Sequence, residues 1–94
     1  MKFKFHPLAH QDLNNSIDYY EDRSPGLGYE FSKDDYATIQ RIIEFPAAWT
    51  LLVGNCRRCL TTKFPFGIVY KIKNSTIVIV AVMHLNREPN YWKD

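Results

Sequence analysis

The hydrophobic period of this chain changes at Pro46, and that change restricts it to folds that set a layer of helices against a layer of strands. Upstream, Ala9, Leu13, Ile17 and Tyr20 form one apolar stripe, and Leu27, Phe31, Ile39, Ile42 and Ile43 form a second. Spacings of three and four put each set on one face of an α-helix. Pro7 suits a first helical turn, Ser24-Pro25-Gly26 breaks the pattern, and Pro46 stops the second helix. The spacing predicts helices over residues 8–22 and 28–44, joined as an αα-hairpin whose apolar side needs a sheet to cover it. Asp35 interrupts the second stripe. Either the helix rolls at that turn or the carboxylate meets a polar partner; the simpler expectation is a tolerated edge position.

Downstream of Pro46 the residues favour strands. Residues 58–64, 66–73 and 76–83 are rich in Val, Ile, Tyr and Phe and are separated by Pro65 and by Asn74-Ser75, which predicts three consecutive antiparallel strands. The run Ile77-Val78-Ile79-Val80-Ala81-Val82 is apolar throughout, so that strand is expected inside the sheet, covered on both faces. A further short strand fits residues 49–53, cut off by Gly54-Asn55. At the other end, residues 2–6 alternate, with Phe3 and Phe5 on one face and Lys2, Lys4 and His6 on the other. The expected fold class is α+β: an N-terminal strand and an αα-hairpin packed on an antiparallel β-sheet. With 94 residues and 46% hydrophobic content the chain can bury one core, so residues 1–94 are expected to form a single domain.

Several function classes fit poorly. No apolar run approaches the roughly 18–20 residues of a membrane span, and Met-Lys-Phe-Lys-Phe-His enters structure without a signal-peptide hydrophobic region. The expected location is the cytoplasm, with no membrane partner. Cys56 and Cys59 form a C-x-x-C, but His6, His10 and His84 supply no second pair at zinc-ligand spacing. On a strand, a separation of three also turns the two thiols to opposite faces. Reduced structural cysteines are expected, with no metal and no cofactor. A hydrolytic nucleophile beside a His and a Gly-rich phosphate loop are both missing from the pattern. Charge is divided: residues 1–46 carry five Lys/Arg against eight Asp/Glu, and residues 47–94 carry seven against two. An anionic or acidic partner is therefore expected on the second half.

Local motifs narrow the choice. Tyr19-Tyr20-Glu21, Leu27-Gly28 with Phe31, and Phe45-Pro46 look like the helix-hairpin signature of RelE/ParE superfamily toxins. Cys56-Arg57-Arg58 followed by Lys63-Phe64-Pro65-Phe66-Gly67-Ile68-Val69-Tyr70 resembles that family's R-R … F-P-F/Y-x-I-x-Y stretch. The segment from Ala81 through His84, Arg87, Pro89, Tyr91 and Trp92 resembles its A-V-x-H-x-x-R-x-P-x-Y-W ending. The resemblance implies a bacterial toxin of a type II toxin–antitoxin system, held inactive by a cognate antitoxin and serving plasmid stabilisation or stress response. It also implies one of two targets: DNA gyrase, for the ParE branch, or mRNA within the ribosome, for the RelE branch.

RNA cleavage through the 2′-hydroxyl needs a base, an acid and cations around the developing phosphorane charge. Where the nuclease branch keeps two arginines, this chain has Gly67 and Leu85. The resemblance therefore favours gyrase. If the chain is a nuclease, the residues left to carry the chemistry are Arg58, Lys63, His84, Arg87 and Tyr91. Lys63 and His84 are expected at the same end of the sheet, because first and third strands of a meander run parallel. The preferred role for His84 and Arg87 is structural, fixing the C-terminal turn with Pro89 against Tyr91 or Trp92. Arg57 and Arg58, adjacent on a strand, are expected to face opposite ways. The residues expected to bind the target or the antitoxin are Arg57, Arg58, Lys63, His84, Arg87, Tyr91 and Trp92.

Overall fold

The computed structural model describes residues 1–86. Its elements run β1 (Lys2–Phe5), α1 (Pro7–Arg23), α2 (Leu27–Glu44), β2 (Thr50–Val53), β3 (Cys56–Leu60), β4 (Phe66–Lys73) and β5 (Thr76–His84). His6 caps α1: its backbone is extended and its Nδ1 accepts the Leu8 N–H at 3.1 Å, with proline in the first turn.

The turn between the helices depends on two glycines and one carboxylate. Gly26, the cap of α2, has φ 88 and offers no side chain. Glu21 supplies what is missing, accepting the Gly26 N–H at 2.9 Å and the Gly28 N–H at 3.0 Å. Its negative charge also sits at the favourable end of the α2 dipole. Gly28 lies against α1 so closely that a Cβ there would stand 2.7 Å from the Ile17 carbonyl oxygen. The Tyr-Tyr-Glu and Leu-Gly motifs are thus two halves of one turn.

The five strands form one sheet in the order β1-β5-β4-β3-β2. From β2 to β5 the neighbours are antiparallel, as expected. β1 joins β5 in parallel, so the sheet is mixed; parallel neighbours need a long crossover, and the helix hairpin with the following strands provides it. The short strand expected over residues 49–53 does form, as Thr50–Val53 at the outer edge.

Both helices cover one face of this sheet. Ala9, Leu13, Phe31, Ile39 and Ile42 meet Cys59, Phe66, Ile68, Tyr70, Ile77, Ile79 and Val82 in the main core. On the opposite face Cys56, Val69, Ala81 and Met83 form a smaller cluster. β5 lies between two neighbours and contributes to both clusters, which explains its uninterrupted apolar run. The two cysteines are free thiols on opposite faces, and burial pushes the Cys59 thiol up. The Tyr70 hydroxyl donates to the Pro46 carbonyl, tying the end of α2 to the central strand, and burial raises its phenol to about 12.

Two expectations need correction, and adjacent residues are responsible. The third strand was expected to run to residue 64, where Pro65 breaks the pattern; it stops at Leu60. Beyond it the N–H groups of Thr62, Lys63 and Phe64 turn to the Asp34 carboxylate, at 3.1, 2.9 and 3.1 Å, instead of to a neighbouring strand. Asp35 was expected at a tolerated edge, and it is fully buried, with 0% exposure. Neither of its carboxylate oxygens has a hydrogen-bond partner, so the alternative of a polar partner fails too. Burial, reinforced by the neighbouring Asp34 charge, pushes the Asp35 carboxyl up to about 8.

Candidate functional site

The layers differ in charge. The sheet and its connections, residues 1–6 and 45–86, hold seven Lys/Arg and no Asp/Glu, whereas the helix hairpin, residues 7–44, holds three against eight. The division seen along the chain becomes a division across the molecule once β1 carries Lys2 and Lys4 into the sheet. An anionic partner is drawn to the sheet side.

Arg57 and Arg58 sit in the middle of β3 and face opposite ways. The Arg57 guanidinium donates to the Trp49 carbonyl at 2.7 Å, bracing the connection into β2. Arg58 pairs in register with Val69 and lies on the face away from the helices. Its stem crosses Gly67: a Cβ on Gly67 would stand 2.8 Å from Arg58 Cδ. The absence of a side chain at Gly67 is therefore what lets Arg58 lie flat across β4.

Lys63 and His84 do share one end of the sheet, since the Leu85 N–H reaches the Pro65 carbonyl at 2.9 Å. They do not share a face. Lys63 is held through its backbone by Asp34, and its ammonium lies 3.9 Å from Glu30 of α2. The half-buried His84 ring packs edge-on against Phe66, with centroids 5.1 Å apart, on the helix side of the sheet. Its Nδ1 accepts the Asn86 N–H at 3.0 Å, which leaves the proton of a neutral ring on Nε2. Leu85 is exposed. Arg87, Tyr91 and Trp92 lie outside the described residues.

The arrangement therefore separates three groups that an acid–base cleft would need together. Arg58 faces the open side, His84 the helix side, and Lys63 leans toward α2. Among the described residues, no group of three His, Cys, Asp or Glu is placed to hold a metal ion, and no helix is long and apolar enough to cross a membrane.

Asp34 escaped the sequence reading. It anchors the loop between β3 and β4, and with Glu30, Lys33, Ala37, Thr62 and Lys63 it lines a shallow depression of about 280 Å³. The signal available in the sequence was two adjacent aspartates inside an apolar stripe, only one of which an edge position can excuse. Deciding that Asp34 serves a loop 28 residues away required the fold.

Residues 3–89 match the family described as the ParE toxin of type II toxin–antitoxin systems, parDE. The chain belongs to the ParE toxin family. Among curated proteins no match is found. The fold of this ParE-family chain is also that of a solved chain from the chromosomal ParDE TA system of P. aeruginosa, with a TM-score of 0.80 over 92% of this chain and 97% of that one. Identity between the two is 19%, so that likeness speaks for the fold. Within the ParE family frame the three helix-hairpin motifs have structural duties: Glu21 and Gly28 make the turn, and Pro46 receives Tyr70.

Proposed function

We propose that this ParE-family chain is a toxin neutralised by a cognate antitoxin and that it poisons DNA gyrase. The observation that carries the choice of target is the state of the two positions where the nuclease branch keeps arginines. Gly67 is overlaid by the Arg58 stem, and Leu85 is an exposed apolar residue just past β5. Of the five residues left to carry nuclease chemistry, the three described ones, Arg58, Lys63 and His84, are spread over different faces, which gives cationic stabilisation of a phosphorane no common focus among them. A binding mode of action, needing a surface and not an acid–base pair, suits that geometry.

For the antitoxin, the open edge at β2 supports docking of an extended arm. Leu51 and Leu52 are exposed on this edge strand, and Arg57 and Arg58 follow on β3. A strand added there gains main-chain hydrogen bonds, and acidic side chains on it gain the arginines. Arg57, Arg58, Lys63 and His84 are the described residues proposed to meet target or antitoxin, with Arg87, Tyr91 and Trp92 completing the proposed set.

Expression of the chain alone in bacteria tests the target, with gyrase supercoiling and ribosome-dependent mRNA cleavage assayed in parallel. Inhibited supercoiling with intact mRNA is the expected result. Codon-phased mRNA cuts that vanish with His84→Ala or Arg87→Ala overturn it in favour of a RelE-like endoribonuclease. Co-purification with the product of the neighbouring small reading frame tests the antitoxin, and failure of that pair to bind at sub-micromolar concentration refutes the partner.

A further inference from the structure

The strand register places four lysines in a block on the sheet face turned away from the helices. Lys2 pairs with Thr76 and Thr76 with Lys73; Lys4 pairs with Val78 and Val78 with Lys71. Residues in register across a sheet project to the same side, so two rows of Lys–X–Lys cross β1, β5 and β4. Phe3 and Phe5, the alternate residues of β1, pack into the main core and fix which side that is. Neighbouring strands are about 4.8 Å apart and alternate residues about 6.7 Å, so the Cα positions outline a rectangle of roughly 10 by 7 Å.

Nothing acidic on the described chain balances this block. Both ion pairs among the described residues use Glu30, on the far layer, and residues 45–86 contain no Asp or Glu. Lys2, Lys4 and Lys73 are exposed and Lys71 is half-buried, with Val78 nearly covered between Lys4 and Lys71. The block lies at the β1 edge, away from the Leu51–Leu52 edge at β2.

We propose that this lysine block binds the phosphate backbone of duplex DNA. A regularly spaced block of cations, rooted on a fixed strand register, suits a ligand whose charges are dense and regular: a duplex carries one negative charge per roughly 1.7 Å of axis. A single strand is disfavoured, because binding without sequence preference uses aromatic platforms for the bases. Among the described residues this face has none: the exposed aromatics Tyr19, Tyr29 and Tyr36 are on the helices and Phe45 is at the end of α2. An acidic peptide is drawn instead to the β2 edge, where main-chain bonds to the edge strand are joined by apolar contact with the exposed Leu51 and Leu52. The inference is independent of the gyrase reading, since the duplex itself is the ligand tested.

The test is fluorescence anisotropy of a labelled duplex of about 20 base pairs titrated with the full chain over a range of salt. Four phosphate contacts predict a slope of log K against log salt of about −3 to −4. The paired change Lys71→Gln with Lys73→Gln is expected to weaken binding about tenfold at low salt and to flatten the slope by about two. Arg23→Gln with Lys33→Gln removes the same charge from the helix layer and is expected to leave duplex affinity unchanged; equal loss in both pairs overturns the proposal, because net charge alone then explains binding. Circular dichroism and urea midpoints confirm that each variant is folded. No binding of the duplex at low salt, tighter binding of the single strand, or tighter binding of a polyglutamate peptide each overturns it as well.

Discussion

Replacing Asp35 is expected to stabilise this protein, by an amount that depends on pH in a calculable way. Its carboxyl is fully buried without a partner and is pushed up to about 8, against an ordinary 3.8. Below pH 3.8 the folded and unfolded chains both carry the proton, and ionisation costs the fold nothing. Between 3.8 and about 8 the unfolded chain releases the proton while the folded chain keeps it, so stability falls by about 1.4 kcal/mol for each pH unit. Above about 8 both are ionised and the penalty is complete. At neutral pH the loss amounts to about 4 kcal/mol as an upper bound, a large share of the roughly 5–15 kcal/mol that holds a domain together. Asp35→Asn keeps the shape and the polarity but cannot ionise, so it recovers the pH-dependent part alone. Asp35→Leu also removes a buried polar group lacking a hydrogen bond, worth about another 1–3 kcal/mol. Urea unfolding of the native chain and Asp35→Asn at about pH 5, 7 and 8.5 isolates the effect, since every other group titrates alike in both. The gap between them should widen by several kcal/mol from the lowest pH to the highest. A constant gap refutes the argument, because it means that Asp35 ionises equally easily folded and unfolded.

Three further changes probe the scaffold. Asp34→Ala strands the N–H groups of Thr62, Lys63 and Phe64 and should cost about 2–4 kcal/mol in urea unfolding, with amide exchange accelerating first in that loop. Gly28→Ala drives a methyl into the Ile17 carbonyl, where backbone must give way, and should lower stability by about 1–3 kcal/mol by the same assay. Ser75→Gly relieves a positive φ of 62 in the β4–β5 turn, next to Asn74 at 52, and should raise the thermal midpoint by a gain of about 0.5–1 kcal/mol.

The helices, the four antiparallel strands and the family were legible because each rests on local information. A stripe of period 3.6 or an apolar run needs only neighbours in sequence to declare itself, and Ala9, Leu13, Phe31, Ile39 and Ile42 occupy the core that their spacing required. The Arg57–Arg58 pair also divided between faces as the two-residue period of a strand demands. The early end of β3 was not legible, because the first breaking residue after it is Pro65 and only the approach of Asp34 from α2 diverts the N–H groups of Thr62, Lys63 and Phe64. Which partner strand β1 takes was equally silent: alternation fixes the faces of Phe3 and Phe5, and pairing with β5 depends on where the hairpin returns the chain. That pairing decides the charge pattern as well, since it sets Lys2 and Lys4 beside Lys71 and Lys73 from the far end of the sequence. Asp35 shows the limit most plainly. Composition and period marked it as an exception, but burial is a property of what surrounds a residue on every side, and only the packed hairpin over the sheet determined that its carboxylate would meet neither water nor a partner.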